Sequence, residues 1–157
     1  MDYFKGFGID VGQGKYYEEA IYGVVLLYKH LNKEMSAHLS QFKLTPAKFN
    51  VLMIAKHQGG KEGISQVEIS KKLVVTASNT ARLIEKLEDE KLIHRIAQEG
   101  DRRVNIIKIT DKGAKVLDEA WPGYVERLKQ LTAGITQEDQ KAVAALVTKW
   151  LYKLVGE

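Results

Sequence analysis

Between Ser65 and Glu90 the chain writes two helices with almost nothing between them. Ser65-Gln66-Val67-Glu68 has the reciprocal form in which a serine oxygen takes one N-terminal amide and a glutamate three residues on reaches back. A helix is therefore predicted from about Gln66 to Leu73. Thr76 suits the cap of a second helix, from about Ala77 to Glu90. Only Val74 and Val75 stand between the first helix and that cap. Two helices joined by so tight a turn must cross steeply, which is the helix-turn-helix arrangement.

The stretch after the second helix is strand-like. Leu92–Ala97 and Val104–Ile109 are rich in β-branched residues. Between them Gln98-Glu99-Gly100-Asp101-Arg102-Arg103 reads as the polar tip of an antiparallel hairpin. Helical patterns surround this unit. From about Tyr16 to Gln41, residues Tyr17, Ile21, Val24, Tyr28, Leu31, Met35 and His38 fall on one seam. Val25, Leu26 and Leu27 make the other faces apolar too, so this helix is either a central core helix or one shared with a subunit interface. Thr45 and Pro46 open a helix that carries Phe49, Leu52, Met53 and Lys56 on one face and stops at Gly59-Gly60. Thr110 caps a helix to about Ala133, with a kink expected after Trp121 at Pro122. Thr136-Gln137-Glu138-Asp139 opens a last helix to about Val155, with Val143, Leu146, Trp150 and Leu154 along one face. Residues 1–14 carry Gly6, Gly8, Gly12 and Gly14 and read as a flexible or loosely docked arm.

The fold class is thus mainly α: a winged helix-turn-helix with a small β-hairpin wing, plus a helical region from the N- and C-terminal helices. A length of 157 residues fits one folding unit. Within it we divide an arm and first helix (1–41), the winged helix-turn-helix (42–110) and the closing helices (111–157).

Composition removes several classes of function. There is no cysteine, so disulfides, thiolate zinc sites and thiol redox sensing are excluded. The stretch Met1 to Gly14 has no apolar core of a signal peptide. No run approaches the ~18 apolar residues of a membrane helix, so a cytoplasmic protein without a membrane partner is expected. The four histidines, His30, His38, His57 and His94, form no HxxxH or HExxH pair. No nucleophile elbow, phosphate-binding loop or dinucleotide motif occurs, so no enzyme and no cofactor are expected. The net charge of +4 permits a polyanionic partner.

On a wheel of 100° steps, Ala77, Thr80, Ile84 and Leu87 share one side of the second short helix. Ser78, Asn79, Arg82 and Lys86 share the opposite side. Short polar side chains near a helix start reach base edges, Asn pairs with adenine and Arg with guanine. A thin loop tipped by Arg102-Arg103 suits a minor groove, where negative potential attracts arginine. Asp101 is placed to orient such a guanidinium.

The run from Ile64 to Gly113, with ISQVEISKKLVVTASNTARLIEKLEDEKLIHR and GDRRVNIIKITDKG, resembles the multiple antibiotic resistance regulator (MarR) family. The upstream LTPAKFNVL and the long first and closing helices also fit, so the resemblance spans residues 16–155. It implies a homodimer, built from interleaved first and last helices, on a pseudo-palindromic double-stranded DNA operator. It implies Ser78, Asn79 and Arg82 as major-groove readers beside Ala77 and Lys86, and Thr76 as cap and phosphate contact. Ser65 and Gln66 match backbone-phosphate positions. Arg103, beside Arg102, matches the minor-groove residue, with Asp101 steadying it. Val74 stands where the family often has Gly.

The resemblance also implies a repressor released by a small phenolic or other aromatic anionic effector. Tyr28, Leu31, Phe49, Met53, Trp121 and Tyr124 are the candidates to line its pocket, with plain core packing as their alternative role. The competing functional reading is a winged-helix protein-interaction module without DNA readout. Arg82, Arg102 and Arg103 speak against it, because an interaction-only lobe has no need of basic groups on both helix and wing.

Overall fold

The computed structural model describes residues 4–73, 77–98 and 101–156. The side chains of Ala77, Gln98 and residues 101–104 are outside that description. The expectations for Val74, Val75 and Thr76, and for Glu99 and Gly100 at the hairpin tip, fall outside the described residues.

Six α-helices and a three-stranded sheet succeed one another in the order α1 (Tyr16–Ser40), α2 (Pro46–Gly59), β1 (Ile64–Ser65), α3 (Gln66–Lys72), α4 (Ala77–Asp89), β2 (Ile93–Gln98), β3 (Asp101–Ile109), α5 (Asp111–Thr132) and α6 (Gln137–Val155). The helix starts are set by side-chain caps. Thr45 accepts from the Lys48 amide, Ser65 from Glu68 and Thr110 from Gly113. At α6, Thr136 and Asp139 complete a reciprocal capping box. Each cap satisfies an amide that the helix itself leaves unpaired.

The core lies where α2, α3, α4, the sheet and the C-terminal part of α1 meet the first half of α5. Leu39, Phe49, Leu52, Ile69, Ile84, Leu87, Ile93, Ile107 and Leu117 are all fully enclosed there. The corner after α4 is built by close backbone approach. A Cβ on Gly113 would sit 2.0 Å from the Leu92 carbonyl oxygen, so only glycine lets α5 start against the entry to β2.

The structure differs from the sequence reading in two places, at β1 and at the wing tip. β1 was not expected; its two residues pair antiparallel with β3, Ile64 opposite Ile107 and Ser65 opposite Ile106. The wing strands reach further than their β-branched cores, so Asp101, Arg102 and Arg103 belong to β3 and not to a loop tip. The register nonetheless jumps there: Ala97 faces Asn105 but Gln98 faces Asp101, which leaves Arg102, Arg103 and Val104 bulged between two registered pairs. Pro122 lies inside α5, which runs as one element from Asp111 to Thr132. The N-terminal arm, expected to be flexible or loosely docked, takes the docked form. It forms a 3-10 turn over Lys5–Phe7, buries Ile9, rests Phe7 on Tyr22 with ring centroids 5.3 Å apart, and donates the Gly12 amide to Glu19 Oε1 at 2.8 Å.

α1 and α6 are unlike the rest. α1 buries only Met35 and Leu39, both near its end, and α6 buries nothing within its own chain. Large apolar side chains stand open on both, including Tyr28 at 66%, Leu146 at 66% and Leu154 at 70% exposure.

Candidate nucleic-acid interface and effector cavity

α4 is strongly two-sided. Thr80, Ile84 and Leu87 are completely buried, while Ser78, Asn79, Arg82 and Lys86 are exposed. The division follows from the spacing: 80, 84 and 87 lie within one sector of a 3.6-residue helix and take its apolar groups inward. The outward side is left with short polar groups near the start and cations further along.

The far end of α4 is fixed firmly. Lys48, buried at the start of α2, pairs with the Glu90 carboxylate. Lys112 Nζ donates to the Glu90 carbonyl at 2.8 Å, and Thr110 Oγ1 donates to the Lys91 carbonyl at 2.8 Å. Two elements thus hold the corner from which the wing departs. Ser65 caps α3 through its Oγ, 3.2 Å from the Glu68 amide, and is half-buried, as is Gln66. In this structure the Gln66 Oε1 atom is enclosed with no hydrogen-bond partner. The wing backbone carries Asp101, Arg102 and Arg103 on β3, toward the tip from the buried Ile107.

A second feature lies behind α4. The six aromatic and apolar residues singled out from sequence, Tyr28, Leu31, Phe49, Met53, Trp121 and Tyr124, line one cavity of about 650 Å³ between α1, α2, α5 and the end of α3. Three of their rings are stacked. Phe49 and Tyr124 have centroids 4.6 Å apart, Trp121 and Tyr124 5.7 Å, and Phe49 and Trp121 are 11° from parallel. Phe49 is buried at the base of the stack, while Trp121 is 41% exposed. Burial raises the pKa of the Tyr124 phenol above its ordinary value. Asn32, Thr45 and Asn50 add uncharged polar groups, and among the described residues Lys72 is the one charged group in the lining. The sequence reading missed Met35 and Lys72. Lys72 lies at the end of a seven-residue helix, a place where no periodicity marks an inward group.

No group of three or more His, Asp or Glu able to hold a metal ion occurs among the described residues. None of the described helices is long and apolar enough to cross a membrane.

This two-sided helix, pinned at its far end and continued by a basic β-hairpin, defines a winged helix-turn-helix transcription regulator that binds DNA, not an enzyme. The MarR family model matches residues 44–104. The HTH-type transcriptional regulator MhqR of Bacillus subtilis is 27% identical over 112 residues, which are 71% of this chain and 75% of MhqR. The fold is shared with the S. aureus MepR–DNA complex at a TM-score of 0.76, with 24% identity, covering 84% of this chain and 96% of MepR. It is shared also with the transcriptional repressor CouR bound to a 23-mer DNA duplex, at a TM-score of 0.76 and 23% identity over 91% of this chain and 99% of CouR. The likeness to the MarR family is thus carried by residues 44–104, and the likeness to an HTH-type transcriptional regulator by 71% of the chain.

Proposed function

We propose that the protein is a homodimeric, cytoplasmic repressor that grips a pseudo-palindromic operator and lets go when a small aromatic anion enters the Trp121–Tyr124–Phe49 cavity. The observation that carries the dimer is α6. A helix that buries none of its residues while exposing Val143, Leu146, Leu151 and Leu154 is not accounted for by one subunit. A groove of about 500 Å³ between α1 and α6, walled by Ala20, Val24, Val143, Leu146, Val147 and Trp150, would receive the matching helices of a second copy. Residues 1–41 and 111–157 then form the dimer body, and residues 42–110 form each DNA-binding lobe.

In each lobe Ser78, Asn79 and Arg82 read bases from the major groove, with Ala77 at the helix start and Lys86 behind them. Thr76, Ser65 and Gln66 address backbone phosphate. Arg103, oriented by Asp101 and flanked by Arg102, enters the minor groove. Two-fold symmetry sets the recognition helices roughly 34–36 Å apart, one DNA turn. MepR and CouR, both with structures solved on DNA, support the DNA-bound arrangement, and the description of CouR as a repressor supports the sign of regulation.

For the effector, the stacked rings favour a flat aromatic body and Lys72 favours an anionic group on it. A ligand that fits only a lobe spacing unsuited to DNA would shift the population away from the bound form. The test has two arms. The purified protein is sedimented to give its mass, then used to select duplexes from a random pool and titrated with small phenolic acids while Trp fluorescence and operator binding are tracked. A monomer, or no preference for any duplex, overturns the regulator as proposed. Selected binding that no phenolic acid weakens overturns the effector alone.

A further inference from the structure

The wing leaves the core at one residue. On the inner face of β2, Ile93 is buried against Ile109, the next inner residue is Arg95 opposite the buried Ile107, and beyond it Ala97 is exposed. His94 and Ile96, on the other face, are exposed as well. Arg95 is therefore the last group of β2 that faces the lobe. It points at Glu88, the next-to-last residue of α4, with Nη2 3.2 Å from Glu88 Oε2. The contact is close but off the hydrogen-bond axis. Arg95 Nε and Nη2 are both enclosed and neither makes a hydrogen bond.

We propose that Arg95 and Glu88 form an adjustable strut that sets the angle of the wing against the recognition helix. They are positioning residues for minor-groove contact, and neither touches DNA itself. This rests on the reading that the wing enters the minor groove.

The leverage comes from strand geometry. Ile93 is the pivot; Arg95 lies two residues out, about 7 Å, and the Gln98–Asp101 pair five residues out, about 17 Å, at roughly 3.4 Å per residue. A shift of about 1 Å at Arg95 thus becomes about 2.5 Å at the end of the ladder, enough to decide whether a bulged Arg103 meets its groove. The two donors left unpaired in free protein give the strut its direction of travel. Turning Glu88 onto the Nε–Nη2 edge would make a two-pronged, charge-assisted contact, and DNA binding would supply the push.

The test uses full-length protein and a duplex it selects from a random pool. Dimethyl sulfate reports the two grooves separately, through guanine N7 in the major groove and adenine N3 in the minor. Arg95→Met and, more mildly, Glu88→Gln are expected to weaken binding about tenfold and to abolish N3 protection while N7 protection stays. The reversed pair, Glu88→Arg with Arg95→Glu, should recover N3 protection. N3 protection that persists in both single variants overturns the strut, as does loss of both signals together without recovery in the reversed pair. Absence of N3 protection in the unaltered protein overturns the minor-groove reading itself, and the strut with it.

Discussion

His38 of α1 reaches across to α5 and sets its Nε2 atom 3.0 Å from the Ala120 carbonyl oxygen. The contact is possible because residue 123 is glycine. A Cβ there would fall 2.4 Å from His38 Cε1. Phe42 flanks the same ring, at 5.4 Å between centroids. The hydrogen bond thus joins the helix that enters the lobe to the helix that leaves it. Gly123→Ala should cost about 1–2 kcal/mol, from crowding and from the displaced hydrogen bond. Adding His38→Ala should cost less than the two changes taken separately, because the second removes the obstacle met by the first. Urea unfolding at one fixed protein concentration measures both.

Gly113 meets backbone instead of a side chain, so nothing nearby is free to give way. Gly113→Ala should destabilise by about 3 kcal/mol or more, and its damage should centre on the wing, since the atom it strikes is the Leu92 carbonyl at the root of β2. Gly134, with nothing within 4 Å of its added Cβ, is the control, and Gly134→Ala should be nearly silent. Hydrogen exchange along β2 and β3 would separate the two.

Tyr124 supplies the one pH prediction. Burial raises its folded pKa above the ordinary 10.0, so the folded protein holds the phenolic proton more tightly than the unfolded chain. The associated stability is fully present below about pH 10 and is lost as the pH climbs through the folded value. An ultraviolet titration should show a tyrosine step above the ordinary value of 10.0, and Tyr124→Phe should remove that late step.

Leu146 is 66% exposed on α6. If a second copy covers it, Leu146→Glu places a charge in a dry interface. Sedimentation should then show a shift from dimer toward monomer, with operator affinity falling in parallel. Retention of a tight dimer would place the interface elsewhere.

Arg103→Ala should lower operator affinity more than tenfold, roughly 1.4 kcal/mol, while leaving the sedimenting mass unchanged. A full-strength complex in an anisotropy titration would rule out the minor-groove role. The loss should also lessen the salt dependence of binding, because one fewer cation displaces counterions.

Much of the fold was legible because its boundaries are local. Thr45, Ser65, Thr110 and Thr136 announce their helices within four residues of sequence, and the buried side of α4 follows from spacing alone. Features that depend on distant partners were not. β1 is only Ile64–Ser65, too short for alternation to show, and exists because β3 lies beside it. Its approach depends on Gly63, whose φ of +85° and missing Cβ admit Ile106 and Lys108. Asp101 to Arg103 have turn-like chemistry, yet Asp101 pairs with Gln98 and β3 runs on through the bulged Arg102 and Arg103. The arm reads as flexible or loosely docked from its glycines, and no local pattern shows that the Phe4 ring comes to lie against Gly23 of α1. The aromatic cavity was legible as a set of residues and not as an arrangement, since the stacking of Phe49 on Tyr124 joins positions 75 apart in sequence.

Because α6 conceals nothing inside its own subunit, it draws no support from that subunit's core. If a second copy supplies that support, the helix keeps its place only as long as enough protein is present, since association stabilises by mass action. Operator occupancy would then climb more steeply than abundance, giving a regulator with a built-in threshold of scarcity below which its genes are left unattended.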